Sequence, residues 1–133
     1  MALKKRRPGL VYPIYEDWHY VGETDEPAFQ NSWDNLGGAI KCAFRIRETG
    51  ILDIQGKING GATPSVAFTL PEGYRPSNQT WFTAIGLSVV GATDTPVLIA
   101  VSSAGEVLIS NVDVSCDTIW MAGQIFLTPP DAA

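Results

Sequence analysis

The chain has 133 residues, 45% hydrophobic and 17% charged, with a formal net charge of −5. That length makes one domain able to hide roughly two-thirds of its unfolded surface. No apolar run approaches the roughly 18 residues of a membrane-spanning helix, and an acidic body that repels phosphates argues against general nucleic-acid binding.

The charge is unevenly placed. Lys4, Lys5, Arg6 and Arg7 are consecutive, and the first acidic residue is Glu16; setting those four positives aside from the −5 leaves the rest of the chain at −9. Pro8-Gly9 follows the basic run where a secretion signal would need an apolar stretch, so no signal is read here. Residues 1–16 read as an extended docking arm. Pro13 forbids a central strand position, while Tyr12 and Tyr15 supply aromatic material for a groove on a neighbouring subunit. Four basic residues are too few to specify nucleic acid; they read as docking to an acidic partner.

Residues 17–133 read as a β domain. Ile40, Cys42, Phe44 and Ile46 alternate with Lys41, Ala43, Arg45 and Arg47, and Glu48-Thr49-Gly50 turns the chain. Leu52, Ile54 and Ile58 continue the inward face opposite Asp53, Gln55 and Lys57, so 39–58 is expected to be a hairpin with a solvated outer side. Asn59-Gly60-Gly61 is a loop. Val66, Phe68 and Leu70 alternate with Ala67 and Thr69 as a strand that Pro71 stops. In Leu70-Pro71-Glu72-Gly73 the proline suits position i+1 of a type I turn with glycine at i+3, and Arg75 before Pro76 leaves extended. Residues 81–88 and 97–102 read as strands around the loop 91–96, and Ser103-Ala104-Gly105 as a tight hairpin. Val107, Ile109, Val112 and Val114 follow, then a last strand over 119–127 that Thr128-Pro129-Pro130 ends. Eight or so short strands with turn signals every 8 to 12 residues indicate an all-β sandwich or barrel, mainly antiparallel and read here as a β-sandwich, whose edges need covering by neighbouring copies or arms.

Residues for chemistry are sparse. His19, between Trp18 and Tyr20, is the only histidine, so Ser-His or Cys-His catalysis would rest on it alone; it reads as a structural histidine in an aromatic cluster. One histidine with Cys42 and Cys116 far apart does not make a zinc set, and the cysteines read as buried free thiols. Asp53, Asp94, Asp113 and Asp117 are the carboxylates to test for glycoside hydrolysis. Their strand and loop positions read as solvated surface, and no spaced calcium loop is present. No catalytic residue, metal or cofactor is therefore expected. Trp18, Trp33, Trp81 and Trp120 offer stacking platforms or core. Trp81, after the polar loop Ser77-Asn78-Gln79-Thr80, is the better candidate for an exposed platform, although core or interface packing is the preferred reading of it; Asn78 and Asp94 are accompanying ligand-binding candidates. The sequon Asn78-Gln79-Thr80 is a chance match in a chain without a secretion signal.

Two motifs stand out together. Pro27-Ala28-Phe29-Gln30-Asn31-Ser32-Trp33-Asp34-Asn35-Leu36-Gly37 and Phe68-Thr69-Leu70-Pro71-Glu72-Gly73-Tyr74-Arg75-Pro76-Ser77, with the glycine pair Gly60-Gly61 between them, resemble the small β-rich heads that end tail fibres and tail-tip proteins of double-stranded DNA bacteriophages. The resemblance covers roughly residues 18–126. It implies a jelly-roll-like, homotrimeric, non-enzymatic head on a virion assembled in the bacterial cytoplasm, docked to other virion proteins by the arm. It also implies contact with a host cell-wall polysaccharide, where loops near 59–63, 77–80 and 91–96 would give weak multivalent contacts. The alternative expectation is a capsid or tail decoration protein that stabilises the particle without a receptor, since no shaft, coiled coil or collagen-like repeat is present.

Overall fold

The computed structural model describes residues 16–38, 40–47, 50–87, 94–110 and 118–127. Among them are nine strands: β1 (His19–Tyr20), β2 (Asp34–Asn35), β3 (Ala43–Ile46), β4 (Ile51–Asn59), β5 (Ser65–Thr69), β6 (Thr80–Leu87), β7 (Thr95–Val101), β8 (Glu106–Ser110) and β9 (Thr118–Phe126). All pair antiparallel in one sheet ordered β1-β3-β4-β9-β6-β7-β8-β5, with β2 added to β4. The all-β, antiparallel class is as expected. The two layers, however, are the two ends of a single curled sheet. Phe44 of β3 and Phe68 of β5 lie near opposite ends of the strand order, yet their rings stack with centroids 6.2 Å apart. Twist accumulates along a nine-stranded sheet until its concave face closes on itself as a half-barrel.

That concave face is the core. Alternate residues of the long strands, among them Leu52, Ile54 and Ile58 of β4 and Ile119, Met121 and Ile125 of β9, are buried. Each such side chain contributes roughly 1.5–3 kcal/mol by leaving water. Period-two reasoning fails in several places, and Ala43, expected outward, is fully buried. Ile40, expected inward, is 49% exposed: the β3–β4 ladder stops at Ala43–Gln55, and beyond it Lys57 N–H donates to Ile40 O while Cys42 N–H turns to Asn35 Oδ1. Val66 is only half-buried because β5 bulges between Val66 and Phe68, which moves Ala67 into the core. A single extra residue flips the side-chain faces on either side of it.

Both motifs prove to be fold-building. In the first, Gln30 N–H donates to Ala67 O and Asn31 Nδ2 to Val66 O, each at 2.8 Å, and Trp33 Nε1 donates to Ser65 Oγ at 2.9 Å. Residues 30–33 thus bind β5, the last strand of the sheet order, whose unpaired backbone would otherwise be open. Trp33 is buried, and its indole lies where any side chain on Gly61 would be: a Cβ there would sit 2.0 Å from Trp33 Cε2. The glycine pair of the motif set is therefore the seat of the motif tryptophan.

Asn31 adopts φ = 56°, a left-handed conformation that asparagine tolerates better than other non-glycine residues. Asn31→Ala is expected to lower stability by about 1.5 kcal/mol, from the lost bond to Val66 and the added backbone strain. Asn31→Gly should lose less, because only the bond is removed. Urea midpoints for the two variants test this order, and the reverse order would mean that the turn is not strained.

In the second motif the turn lies one residue later than expected. Tyr74 N–H donates to Pro71 O at 3.1 Å and Gly73 has φ = 89°, so Pro71 is residue i and Gly73 residue i+2, the position at which a type II turn needs glycine. Proline at i+1 of a type I turn is thus corrected. The reason is that Leu70 is not free to begin a turn: its N–H is bound to Gly105 O and its carbonyl accepts Arg75 Nε at 2.8 Å.

Candidate functional site

The sequence-based candidates occupy two places. Trp81 is 52% exposed on the convex face of β6, and exposed Asn78 lies three residues before it. Asp94 is also exposed, just before β7. In the β6–β7 ladder Trp81 pairs with Ala100 and Gly86 with Thr95. Asp94 therefore sits at the far end of the hairpin from Trp81, about 20 Å away at ~3.3 Å per residue. Lys4, Lys5, Arg6, Arg7, Tyr12 and Tyr15 of the arm, with Asp113, Asp117 and Cys116, lie outside the described residues. Glu16, the last residue assigned to the arm, is built into the body: its backbone N–H reaches Ile46 O and its carboxylate accepts Ile46 N–H.

A different group of polar residues converges on the convex face where β3, β4 and β9 run side by side. Register places Arg45, Asp53 and Gln124 in one row across the three strands, with Ala43, Gln55 and Ala122 in the next. Trp18, before β1, lies over this face with the Arg45 guanidinium 4.1 Å from its ring centroid. Asp53 was expected to be solvated, but it is 5% exposed. Its Oδ2 accepts from Arg45 Nε at 3.3 Å and Arg47 Nε at 3.0 Å, and its Oδ1 is 3.0 Å from Arg47 Nη2, an ion-pair contact without hydrogen-bond alignment. Two guanidiniums on one carboxylate, with Trp18 above, exclude water from a position that alternation alone would leave wet. Together Trp18, Arg45, Arg47, Asp53, Gln55 and Gln124 border a shallow cavity of about 400 Å³.

The same face turns apolar further along. Lys57, Trp120 and Ile85 form the next outward row, with Lys57 Nζ 4.4 Å from the Trp120 ring centroid. Trp120 is 40% and Ile85 45% exposed, and with Thr83 and Ala122 they line a second depression of about 190 Å³. Ala122 borders both depressions.

A second polar cluster ties the body's entrance to the second motif. His19 Nε2 is 2.6 Å from Glu16 Oε1 and Nδ1 is 2.9 Å from Glu26 Oε2, so both ring nitrogens face carboxylates. The Tyr74 hydroxyl donates to Glu16 Oε1 at 2.7 Å, and the His19 ring stacks on Phe44 at 5.2 Å. Tyr74 also packs edge-on against Phe44 of β3. Partial burial works against charge on the imidazole, but the hydrogen bonds and charges of Glu16 and Glu26 outweigh it and raise its pKa. Burial likewise opposes ionisation of Glu16, yet hydrogen bonds from Tyr74, His19 and Ile46 hold its pKa below the ordinary carboxylate value. Burial first, and then the Glu16 carboxylate, pushes the Tyr74 phenol up. The structural reading of His19 in an aromatic cluster is what the geometry displays. Cys42 is a fully buried free thiol whose pKa burial raises. No group of three or more His, Cys, Asp or Glu among the described residues could hold a metal ion, and no helix among them is long and apolar enough to cross a membrane.

No protein-family model matches the chain. No curated protein matches it in sequence. In three dimensions the chain is similar to the receptor binding protein of Listeria phage PSA, with a TM-score of 0.58 and 16% sequence identity over 85% of this chain and 65% of that one. At that identity the likeness is one of fold, and the chain spans just under two-thirds of its structural neighbour's length.

Proposed function

We propose that the chain is a non-enzymatic virion protein of a tailed phage, a tail-tip or fibre head that contacts host cell-wall polysaccharide. The observation that carries this reading is the shared fold with a phage receptor binding protein over 85% of the chain. A second point supports it: the tail-fibre-like motifs are consumed in building the sheet, which leaves the convex face and its exposed tryptophans for contact. In this reading the head is a homotrimer, the arm with Lys4 to Arg7, Tyr12 and Tyr15 docks it to neighbouring virion proteins, and Trp81 with Asn78 makes one contact while Asp94 makes a separate one. Weak sites repeated in a trimer reach useful avidity.

The purified protein is expected to bind saturably to protease-treated sacculi, with their attached polysaccharide, from at least one member of a panel of Gram-positive and Gram-negative bacteria. It should release no reducing sugar from them. Absence of saturable binding across the panel, or release of sugar, would overturn the reading.

A further inference from the structure

We propose that the convex face of β4, β9 and β6 carries the main saccharide-binding site, beside the weaker contacts at Trp81 with Asn78 and at Asp94, with one oligosaccharide lying across the strands from Trp18 over Ala122 to Trp120. This rests on the proposed function and names the site for it. The polar depression has the volume of a small-ligand site, about 400 Å³ against ~300–1,000 Å³ for such sites. Its border is made of planar polar groups: the Gln55 and Gln124 carboxamides beside the Arg45–Asp53–Arg47 cluster. Planar carboxamides present a donor beside an acceptor, and guanidiniums paired donors, at the spacing of adjacent ring hydroxyls. An indole stands at each end, Trp18 over Arg45 and Trp120 beside Lys57, and an indole face suits the C–H face of a pyranose. Asp53 holds both arginines in place from beneath. The amides therefore project from a floor that does not rearrange on binding.

Other occupants fit this surface less well. A peptide added as a strand needs an open backbone edge, whereas β4 is paired by β3 and β9, and β9 by β4 and β6. An acyl chain would bury the charged floor at Arg45 and Asp53 without compensation. A nucleic-acid strand would meet a chain of net charge −5. A second copy of this chain remains the competing occupant, and the experiment separates it.

Ala122 is the point of control because it borders both depressions and its side chain is exposed. Ala122→Arg is expected to weaken binding to the sacculi at least tenfold. The same change at Ala104, exposed at the tip of the β7–β8 turn, should leave binding within twofold. Gln124→Ala, a truncation at an exposed position that spares the core, should weaken binding about fivefold and serves if Ala122→Arg lowers thermal stability. Periodate oxidation of the sacculi, which cleaves vicinal diols, should abolish binding of the unmodified protein. If the unmodified protein binds while both Ala122→Arg and Gln124→Ala bind equally well, the site is wrong and the proposed function stands. If it binds no sacculus, both fall. If Ala122→Arg instead lowers the mass in sedimentation equilibrium with sacculus binding unchanged, the face joins copies of the chain and the saccharide site is overturned.

Discussion

Gly56→Ala is expected to destabilise the domain by about 4 kcal/mol, a fall in Tm on the order of 15 °C, which is much of the 5–15 kcal/mol that holds a typical domain. Two costs combine. Gly56 sits at φ = 136°, a conformation that side chains rarely adopt, and a Cβ there would lie 2.4 Å from Cys42 Cα and 2.7 Å from Cys42 N. Backbone strain of this kind costs about 1–3 kcal/mol, and overpacking about 1–3 kcal/mol more. Cys42 cannot move aside cheaply. Its N–H is bound to Asn35 Oδ1 at 2.7 Å, its carbonyl accepts Val21 N–H at 3.0 Å, and its side chain is fully buried. Gly38→Ala and Gly73→Ala provide the comparison, since both positions have positive φ but nothing within 4 Å of the added carbon. Each should cost only about 1–2 kcal/mol from strain. Thermal unfolding of the three variants by circular dichroism measures the difference; a Gly56→Ala variant no weaker than Gly73→Ala would mean that β3 and β4 are not packed as closely as described.

Gly56 also shows what could and could not be read from the sequence. Alternation gave the β3–β4 hairpin, because Cys42, Phe44, Leu52, Ile54 and Ile58 carry a local apolar signal that the core then enforces. Nothing local marked Gly56 as a point of close backbone approach, which depends on Asn35 drawing Cys42 off the ladder. The same limit explains the candidate site. Trp81 stood out because a polar loop precedes it, and it is exposed. The row Arg45–Asp53–Gln124 did not stand out, because β9 lies far beyond β4 in the chain, with four strands between them, and its pairing there is a matter of topology. Asp53 looked solvated for a related reason. A carboxylate on an outward strand position is ordinarily wet, and only the cross-strand Arg45, the turn-side Arg47 and the overlying Trp18 make it otherwise. The motif residues behaved in the opposite way: Trp33 on Gly61 and Tyr74 on Phe44 are contacts between segments distant in sequence, and they were recognisable only as a pattern.

Stability is expected to be greatest between about pH 4.5 and 6.5 and to decline on both sides, with the alkaline decline traceable to His19. The imidazole is held above its ordinary 6.5, so its contribution is complete below that pH and is lost as pH rises through the raised value. Glu16 is held below its ordinary 4.5, so its contribution is complete above that pH and is lost as pH falls through the lowered value. The cluster matters beyond its own bonds because it joins four separate pieces of chain. Glu16 precedes β1, Glu26 lies in the β1–β2 connection, Ile46 ends β3, and Tyr74 belongs to the second motif. His19→Ala is expected to cost about 2 kcal/mol near pH 5.5, where the ring donates from both nitrogens, a figure already reduced for solvent screening of side chains 24–31% exposed. Once pH has passed the raised pKa, the neutral ring donates from one nitrogen only, so the cost should shrink by about 1 kcal/mol. The acid limb, shared by Glu16 and other carboxylates, should remain in the variant. Urea unfolding across this range gives both curves; if they run parallel above pH 6.5, His19 is not charged in the folded protein and the two carboxylates are held by other means.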